Sequence, residues 1–422
     1  MNKHSEQRRI FDALHGFIAL SPLEEALIAT IPFQRLRHIR QLGTAFFVYP
    51  GAVHSRFEHS LGVMHVASRI FDSIVEKDPS IVARENLPYH RQIVRLAALC
   101  HDLGHLPFSH VAEKMILGSG GHEEKTIAII SSAYLAPILE ELFALYPDEQ
   151  PKADLIKVAV GAKKLAALAP STPPFSSWQR IMAEIITGDF FGADRIDYLL
   201  RDARCTGAPY GLFDYEQLIL AIRILPGKNG QLELGIEENG LEACESLLLA
   251  RHFMHKRVYK HPTVKAFSYH LARFMAAFFK DSTELNSVEN YMRWSDSEIL
   301  TEMRLAEREV NHPLHTLTLP FSSRASRHRS IEIKGELSEK IVREISVHLR
   351  IPQEEIYAEF VSADAECHTL NFPMLRRDGQ VASASGYSGI TVRSDTYCTL
   401  YLPPSQLEIF RAELSKIPSL FY

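Results

Sequence analysis

The 422-residue chain contains little cysteine and lacks any long apolar run. Its five cysteines are widely spaced and form no C-x-x-C motif: Cys100, Cys205, Cys244, Cys367 and Cys398. A scattered, odd set supports neither a zinc ribbon nor a disulfide framework and is typical of a reducing compartment. No apolar run approaches the roughly 18–20 residues that cross a bilayer, and the N-terminal residues show no secretory signal pattern. The sequence therefore predicts a cytoplasmic protein with no membrane partner.

The chain also lacks an excess of positive charge. It carries 46 lysines and arginines against 51 aspartates and glutamates, for a formal net charge of −5 at pH 7. A protein that coats nucleic acid needs a broad basic surface, so nucleic acid is not the expected partner, whereas a local basic pocket for a phosphorylated ligand is compatible with this balance. The chain has 422 residues, 46% of them apolar, and single hydrophobic cores stop growing at about 250–300 residues. We therefore expect one large folded unit and a smaller second one.

Helical periodicity dominates the first two thirds of the chain. Apolar residues recur at i, i+3, i+4 and i+7 in segments such as SLGVMHVASRIFDSIVEK, HRQIVRLAALC and LEACESLLLARHFM, which is the spacing of amphipathic helices. One hairpin is predicted within LAIRILPGKNGQLELGI, where Pro226 to Gly230 supplies turn-forming residues. These patterns predict a mainly α fold, with a helical core over residues 1–321 that includes a short β-hairpin.

The sequence pattern changes after Pro320. A basic, serine-rich linker, Ser322–Ser330, precedes shorter β-prone runs, namely SIEIKGE, EEIYAEFV, GITVRS and CTLYLPP. Amphipathic helices are predicted near Ser338–Leu349 and Ser405–Lys416. Strands that alternate with helices over so short a stretch indicate a small α+β domain, which we place at residues 322–422.

Histidine is concentrated in one part of the chain. Eight of the 20 histidines lie between His54 and His122. Histidine is the commonest metal ligand and the side chain that titrates nearest neutral pH. The clustering therefore favours a functional site, although each histidine taken alone is as readily a core or surface residue.

Three short motifs carry the chemistry. His101 and Asp102 end the apolar segment RQIVRLAALC, and Arg56 and His59 stand three residues apart, on one face if that segment is helical. Further on, the motif GADRIDYLLRD contains Asp194. Each motif alone has a plain structural interpretation, since a His-Asp pair can end a helix and an aspartate among arginines can belong to a solvated ion-pair surface. Their combination is what points to a site.

RFEHSLGV, CHDLGHLPFSH and GADRIDYLLRD, in this order, resemble the motifs of the HD-domain phosphohydrolases. More specifically, they are similar to the branch that contains the bacterial deoxynucleoside-triphosphate triphosphohydrolases, among them the dGTPases, and the mammalian sterile-alpha-motif/HD enzyme. The similarity runs from about Phe11 to about Phe279 and includes HGFI, FQRLRHIRQLG and HKRVYKH. The resemblance implies a helical HD-domain fold with a mononuclear metal site.

The resemblance implies two histidines and two aspartates as metal ligands: His59, His101, Asp102 and Asp194. Mixed imidazole and carboxylate ligands suit Mn, Fe, Co, Ni or Zn rather than calcium. Such a set leaves coordination positions open for water and a phosphate oxygen, as a catalytic metal site requires. The expected cofactor is one divalent transition metal per site, manganese among the candidates, with Mg²⁺ accompanying the triphosphate.

The same resemblance assigns groups around the metal. It implies four phosphate contacts: Arg56, His105, Arg195 and Arg251. The planar donor fork of arginine suits phosphate oxygens, although Arg251 is also readily a solvated residue of a long helix. Three residues match the acid–base set, in which a carboxylate orients an imidazole: His110, Glu113 and His122. Glu113 stands where aspartate is expected in the mammalian enzyme.

Six residues match positions around the deoxyribose and the base: Gln41, Leu42, Tyr198, Asp202, His255 and Tyr259. A tyrosine under the 2′ carbon would exclude a hydroxyl there and so prefer deoxyribose, although Tyr198 and Tyr259 also fit ordinary core positions. Gln34 and Arg37 match a candidate regulatory nucleotide site of the mammalian enzyme. Because Ala29 replaces the acidic residue expected to recognise guanine, activation by GTP is not expected.

The function implied is metal-dependent hydrolysis of deoxynucleoside triphosphates to a deoxynucleoside and tripolyphosphate. Two alternatives stay open. One is an HD-type phosphomonoesterase or phosphodiesterase acting on other nucleotides, and the other is a nucleotide-sensing or nucleic-acid-binding module with an idle metal site. The resemblance also implies a homodimer or homotetramer.

Overall fold

The protein is described by a computed structural model over residues 8–78, 86–227, 230–334, 339–361, 369–392 and 396–413. Most of these residues are helical. In chain order the α-helices are α1 (Pro22–Ile28), α2 (Ile31–Arg35), α3 (Arg56–Lys77), α4 (Leu87–Cys100), α5 (Glu113–Ile116), α6 (Gly121–Ile130), α7 (Ala136–Leu145), α8 (Pro151–Val160), α9 (Ala162–Leu168), α10 (Ser177–Thr187), α11 (Ala193–Thr206), α12 (Tyr215–Ala221), α13 (Leu241–Met254), α14 (Pro262–Phe278), α15 (Val288–Tyr291), α16 (Asp296–Arg308), α17 (His315–Ser322), α18 (Glu339–Leu349) and α19 (Pro404–Glu413).

The strands form three small sheets within the described residues. They are β1 (Arg9–Asp12), β2 (Gly16–Ala19), β3 (Ile222–Pro226), β4 (Leu232–Glu237), β5 (Arg329–Lys334), β6 (Tyr357–Val361), β7 (Pro373–Leu375), β8 (Val381–Ser383) and β9 (Tyr397–Leu402). The strand orders are β1-β2, β3-β4-β7-β8 and β5-β9-β6. All described pairs are antiparallel except β4 with β7.

The helical core is built around α3, which packs against both α4 and α11 along buried faces. α3 begins after Ser55, whose backbone N–H donates to Glu58 Oε1 at 2.6 Å, and this capping contact satisfies an N–H that the helix leaves free. Residues such as Ile70 on α3 and Leu99 on α4 are 0% exposed. Close packing of these helices brings their polar ends to one place.

The C-terminal part forms a smaller layer of sheet and helices. The sheet β5-β9-β6 packs against α18 and α19 through a separate apolar cluster that includes Ile345, Leu400, Leu407 and Phe410. This arrangement confirms the predicted fold class, a helical core with a small α+β C-terminal region. Ser338 and the residues after Glu413 in the two predicted helices lie outside the described residues.

Part of the predicted C-terminal unit packs on the helical core. β7 pairs with β4 through Met374 opposite Ile236, and Leu370, Phe372 and Met374 belong to the main apolar cluster. The division between residues 321 and 322 stays a prediction, and residues 370–392 pack with the helical unit rather than with the β5-β9-β6 sheet.

The predicted hairpin is present as β3 and β4, with Ile222 opposite Ile236 and Pro226 opposite Leu232. Lys228 and Asn229, from the predicted turn, lie outside the described residues. A second hairpin, β1-β2, is missed by sequence periodicity because each strand has only four residues. Its turn is held by Asp12 Oδ1, which accepts the N–H groups of Leu14 and His15, both at 2.9 Å.

Of the predicted strand GITVRS, residues 389–392 are described, and among these Val392 makes a β-bridge. The N–H of Gly389 donates to Glu245 Oε1 on α13 at 3.2 Å, and Ile390 and Val392 pack against the helical core. Arg393 and Ser394 lie outside the described residues, so the strand stays a prediction. Within the described part of the chain, no helix is both long and apolar enough to cross a membrane.

Candidate metal centre and active site

Three helices of the core bring the predicted metal ligands together. His59 lies in the first turns of α3, His101 and Asp102 directly follow α4, and Asp194 lies in the first turn of α11. His59 is 0% exposed and Asp102 is 4% exposed, whereas the Asp194 side chain remains 35% exposed. The cluster thus has a buried side and an open side.

The ligand atoms have the spacing that a single cation needs. His59, His101 and Asp102 offer ligand atoms that all lie within 4.8 Å of one another. His59 Nε2 lies 3.0 Å from Asp194 Oδ1 and 3.5 Å from Asp102 Oδ2, and His101 Nε2 lies 3.4 Å from Asp102 Oδ1 and 3.7 Å from Asp194 Oδ1. Ligands at about 2.0–2.2 Å from a cation stand about 3.0–3.5 Å apart when adjacent. These residues therefore fit a divalent metal.

The outer ring nitrogens prepare both histidines for this role. His101 Nδ1 lies 2.7 Å from the carbonyl oxygen of Ala98, so it donates there, and the buried Nε2 has no hydrogen-bond partner among the described residues. His59 Nδ1 lies 2.8 Å from Asp197 Oδ2. Metal-binding histidines characteristically donate from the second nitrogen to a carbonyl or carboxylate.

The charges of the cluster are balanced inside the protein. Burial disfavours the charged ring of His59, but hydrogen bonds with Asp194 and Asp197 outweigh it and raise the pKa to about 10. Burial alone would raise the pKa of Asp102, yet the charges of Arg56 and His101 and a hydrogen bond with His105 hold it well below its usual range. An ionised Asp102 is the form that binds a metal.

Arg56 is engaged at the edge of this cluster. Its Nη1 donates to Asp102 Oδ2, and its Nε donates to Ser109 Oγ at 2.8 Å. Phe108 and Ser109 adopt left-handed backbone conformations, with φ of 59° and 60°, which non-glycine residues rarely take except where the surroundings enforce them. Asp296 enforces them here by accepting the N–H of Phe108 at 2.6 Å.

The predicted acid–base residues form a second cluster beside the first. Glu113 Oε2 lies 2.7 Å from His110 Nδ1 and Oε1 lies 2.8 Å from His122 Nδ1. His105 connects the clusters, since its Nε2 is 3.2 Å from Asp102 Oδ1. Ligand atoms of this second group also lie within 4.8 Å of one another, but Glu113 already shares the protons of both Nδ1 atoms. The acid–base role of His110, Glu113 and His122 stays a prediction.

A cavity of about 2090 Å³ joins the two clusters. Apart from His59, Arg195 and Arg251, every residue predicted for metal, catalytic, phosphate or nucleoside contact lines it. His255 and Tyr259 belong to a π-helical turn, His255–Tyr259, that follows α13. Such turns often occur at functional sites, and this one brings the two rings to a centroid distance of 5.0 Å.

The predicted nucleoside residue Asp202 has two partners within the protein. Tyr259 donates its hydroxyl to Oδ2 at 2.8 Å, and His54 Nε2 lies 2.7 Å from Oδ1. Burial opposes the charge of His54, but its contacts with Asp202 and Cys205 raise the pKa to about 9. His54 is thus a charged partner of Asp202 at neutral pH.

Arg195 and Arg251 lie outside the main cavity and line a small adjacent one, of about 30 Å³. Phe190, Phe191 and Phe372 also line this space, and Phe372 packs edge-on against both other rings at 4.9 and 5.0 Å. The Nε atoms of both arginines are buried without a hydrogen-bond partner. The two guanidinium groups therefore retain unused donors next to Tyr198. Burial raises the pKa of Tyr198, and the charges of Arg195 and Arg251 only partly offset this effect.

Gln34 and Arg37 do not line the cavity. Gln34 Nε2 donates to the carbonyl of Ile28 at 2.7 Å, and Arg37 Nε donates to Gln34 Oε1 at 2.9 Å. The Arg37 guanidinium lies over the ring of Phe57 at 3.4 Å from its centroid. The pair therefore belongs to a separate surface near the start of α3.

Several residues without a predicted role complete the site. His54, Asp197 and Ser109 contact the predicted site residues Asp202, His59 and Arg56, Asp296 binds the N–H of Phe108, and Phe372 lines the cavity. Of these, His54 belongs to the histidine cluster, and Ser109 and Asp197 lie within two of the motifs. Buried pairs across distant segments have no local pattern by which sequence alone could find them.

Comparison with known families matches this fold and site. The HD domain matches residues 56–166, and the HD-associated region matches residues 213–360. The first match contains His59, His101 and Asp102, and the chain belongs to the HD-domain superfamily of metal-binding hydrolases.

Individual relatives confirm the branch predicted from the motifs. The chain is 32% identical over 269 residues to the human deoxynucleoside triphosphate triphosphohydrolase SAMHD1, covering 60% of this chain and 41% of that protein. It is 34% identical over 266 residues to the uncharacterized Bacillus subtilis protein YwfO, covering 63% of this chain and 54% of that protein. The chain spans about half the length of the curated relatives it matches.

A solved structure resembles nearly the whole chain. The crystal structure of a hypothetical protein from Aquifex aeolicus superposes with a TM-score of 0.76 at 28% identity, covering 97% of this chain and 100% of that chain. The similarity therefore extends beyond the HD domain to the C-terminal region.

Proposed function

We propose that the protein hydrolyses deoxynucleoside triphosphates to a deoxynucleoside and tripolyphosphate, with a divalent metal. The observation that carries the proposal is that one cavity is lined by the candidate ligands His101, Asp102 and Asp194, by the His110–Glu113–His122 group, which would act as a proton relay, and by Tyr198, Asp202 and Tyr259. A triphosphate and a sugar would thus share one cavity with the metal. The SAMHD1 relatives, named as deoxynucleoside triphosphate triphosphohydrolases, support the same reaction.

His59, His101, Asp102 and Asp194 would hold the cation. When bound, a divalent cation would polarise a phosphoryl oxygen and lower the pKa of a nearby water. The mixed imidazole and carboxylate donors suit Mn, Fe, Co, Ni or Zn, and Mg²⁺ would accompany the triphosphate. The partly exposed Asp194 side chain leaves the open side of the cluster toward the cavity.

The cationic residues would bind the triphosphate. Arg56 is held by Ser109 and Asp102 at the cluster, and His105 adjoins Asp102. Arg195 and Arg251 have unused buried Nε donors in the adjacent small cavity. Guanidinium groups match phosphate oxygens with paired donors, so these groups would orient the chain of phosphates.

The relay would supply and remove protons. The His110 side chain is 66% exposed and reaches into the cavity, with its Nδ1 proton shared with Glu113. Nε2 is then the atom of His110 that would give a proton to the departing nucleoside oxygen. Glu113 and His122 would stabilise the His110 imidazole as its charge changes in this transfer.

Three lining residues of the cavity would contact the sugar, namely Tyr198, Asp202 and Tyr259. Asp202 and Tyr259 form a hydrogen-bonded pair at 2.8 Å, and Tyr198 lies 6.1 Å from Tyr259 between ring centroids. A tyrosine under the 2′ carbon would exclude a hydroxyl there and so favour deoxyribose. Gln41, Leu42 and His255 line the same cavity and would contact the nucleoside.

The proposal is tested by incubating the purified full chain with each of the four dNTPs, with Mn, Fe, Co, Ni, Zn or Mg, and separating the products by chromatography. Tripolyphosphate is the expected product, and Asp102→Ala should abolish its release. Candidate activating nucleotides are included in parallel. Release of no tripolyphosphate from any dNTP would refute the proposed reaction.

A second candidate is an HD-type phosphomonoesterase or phosphodiesterase that acts on other nucleotides. The cavity volume of about 2090 Å³ favours it, because most small-molecule sites occupy about 300–1,000 Å³ and a larger nucleotide would fit. The same chromatography separates the candidates, since inorganic phosphate or a nucleoside monophosphate would appear instead of tripolyphosphate.

The homodimer or homotetramer and the cytoplasmic location stay predictions. Light scattering after size-exclusion chromatography measures the oligomeric state.

A further inference from the structure

Behind the metal-ligand cluster lies a carboxylate for which the motifs indicate no role. Asp197 stands three residues after Asp194 on α11 and is 0% exposed. Its Oδ2 lies 2.8 Å from Nδ1 of His59. The other ring nitrogen of His59, Nε2, lies 3.0 Å from Asp194 Oδ1. The imidazole of His59 is therefore held between two carboxylates of one helix.

The contact with Asp197 determines which nitrogen of His59 can bind a cation. An ionised carboxylate only accepts hydrogen bonds, so it requires the proton on Nδ1. Nε2, which faces the ligand cluster, is then the nitrogen that would bind a cation in place of its proton. A carboxylate on the second nitrogen is a common device for fixing the tautomer and the ring plane of a metal ligand.

A buried network holds Asp197 in place and extends to the N-terminal hairpin. Arg201 donates to both of its oxygens, from Nε and from Nη2, each at 2.9 Å. His15 Nε2 lies 2.7 Å from Oδ1. Arg201 in turn donates from Nη1 to Asp12 Oδ2 at 2.8 Å. The four contacts leave the carboxylate little freedom to turn away from His59.

Gly62 on α3 provides the space for this network. A Cβ at that position would lie 1.9 Å from Asp197 Oδ1 and 2.5 Å from Arg201 Nη2. The helix that carries His59 therefore approaches α11 closely enough for the hydrogen bond only because position 62 has no side chain. This close approach is a physical reason for the glycine in RFEHSLG.

We propose that Asp197 is a positioning residue of the metal centre, which fixes the tautomer and orientation of His59 through Nδ1. Arg201, His15 and Asp12 hold it there, so the N-terminal hairpin supports the centre. The inference rests on the proposed metal site and does not depend on which nucleotide is hydrolysed.

The test is a titration of the full chain with Co²⁺ alone, followed through the absorption spectrum of the bound cobalt. Asp197→Asn keeps the side-chain size but replaces one acceptor oxygen with an NH₂ group. The asparagine therefore cannot accept hydrogen bonds from His59, Arg201 and His15 together. We expect about 10–100-fold weaker cobalt binding and a changed spectrum. Asp154→Asn is the matched control, because Asp154 is also buried, at 7% exposure, and bonds to Tyr89 and Gln179 instead of the cluster.

The outcomes separate this inference from the proposed reaction. Equal cobalt affinity in Asp197→Asn and the wild type would overturn the inference alone. A wild type that binds cobalt but releases no tripolyphosphate would overturn only the reaction, and a wild type that binds no cobalt would overturn both. If circular dichroism shows that Asp197→Asn is unfolded, His15→Gln takes its place. It should bind cobalt about threefold to tenfold more weakly, and an unchanged affinity would overturn the inference.

Discussion

The imidazole rings of His105 and His122 lie face to face, with their centroids 3.8 Å apart and their planes inclined by 18°. Burial and the charges of Arg56 and His122 hold the pKa of His105 well below its usual range, so His105 stays neutral. Burial opposes ionisation of Glu113, yet its hydrogen bonds with His110 and His122 lower its pKa. Glu113 is therefore the ionised acceptor that His110 and His122 share.

Replacing Glu113 with glutamine should remove the common acceptor of His110 and His122. We expect kcat to fall by about 10²–10⁴-fold, the usual contribution of general acid–base catalysis, while cobalt affinity stays unchanged. Glu123→Gln is the matched control, because Glu123 Oε2 lies 3.6 Å from His122 Nδ1, beyond hydrogen-bond range. Wild-type turnover in Glu113→Gln, measured at saturating substrate, would contradict the acid–base role.

Gly104 marks a close approach between the HDLGH turn and α6. A Cβ there would lie 2.0 Å from the carbonyl oxygen of His122 and 2.5 Å from the backbone nitrogen of Thr126. Because backbone atoms cannot rotate away, Gly104→Ala should lower the free energy of unfolding by about 1–3 kcal/mol or more. Chemical denaturation measures this loss. Gly386→Ala is the control, since no atom lies within 4 Å of its Cβ position, and equal losses in the two variants would refute the argument.

The His54–Asp202 pair should make stability depend on pH. The pKa of His54 is raised from 6.5 to about 9, so the folded protein retains a proton that the unfolded chain releases. The contribution of His54 to the free energy of unfolding is therefore complete below pH 6.5 and is lost as the pH rises through 9. A shift of this size corresponds to the order of 3 kcal/mol. Chemical denaturation at a series of pH values should show that the free energy of unfolding declines less between pH 6.5 and 9 in His54→Gln than in the wild type.

His90→Gln is the control for this experiment. Burial lowers the pKa of His90 to about 4, so its ring stays neutral between pH 6.5 and 9 and its removal should leave the decline unchanged. If His54→Gln retains the full wild-type decline, the pair does not carry the pH dependence.

Asp296 should contribute more to the free energy of unfolding than an exposed carboxylate does. It accepts the N–H of Phe108 at 2.6 Å and that of Arg40 at 3.0 Å, so Asp296→Ala would leave two backbone donors without an acceptor. We expect a loss of about 2–4 kcal/mol in the free energy of unfolding. Asp72→Ala is the control, because Asp72 and Arg91 form an exposed pair, which contributes about 0–1 kcal/mol. Similar losses in both variants would contradict the role of Asp296.

Much of the fold could be predicted from the sequence because the signals are local. Apolar periodicity identifies helices as long as α3 and turn-forming residues identify the β3-β4 hairpin. Strands of three or four residues, such as β1 and β7, carry too little pattern to be recognised. The pairing of β7 with β4 joins segments far apart in the chain, and no local signal predicts it.

The sequence by itself determined the family, the fold class and the residue types of the candidate site, since these follow from ordered motifs and periodicity. The tertiary structure decided which side chains meet. His59 with Asp197, His54 with Asp202 and Phe108 with Asp296 are 138, 148 and 188 residues apart in sequence. Such pairs form only when packed helices exclude water and bring distant polar groups within 3 Å of each other. The four candidate ligands are thus residues that the motifs can name, whereas the hydrogen bonds that orient them depend on the packing of α3 against α4 and α11.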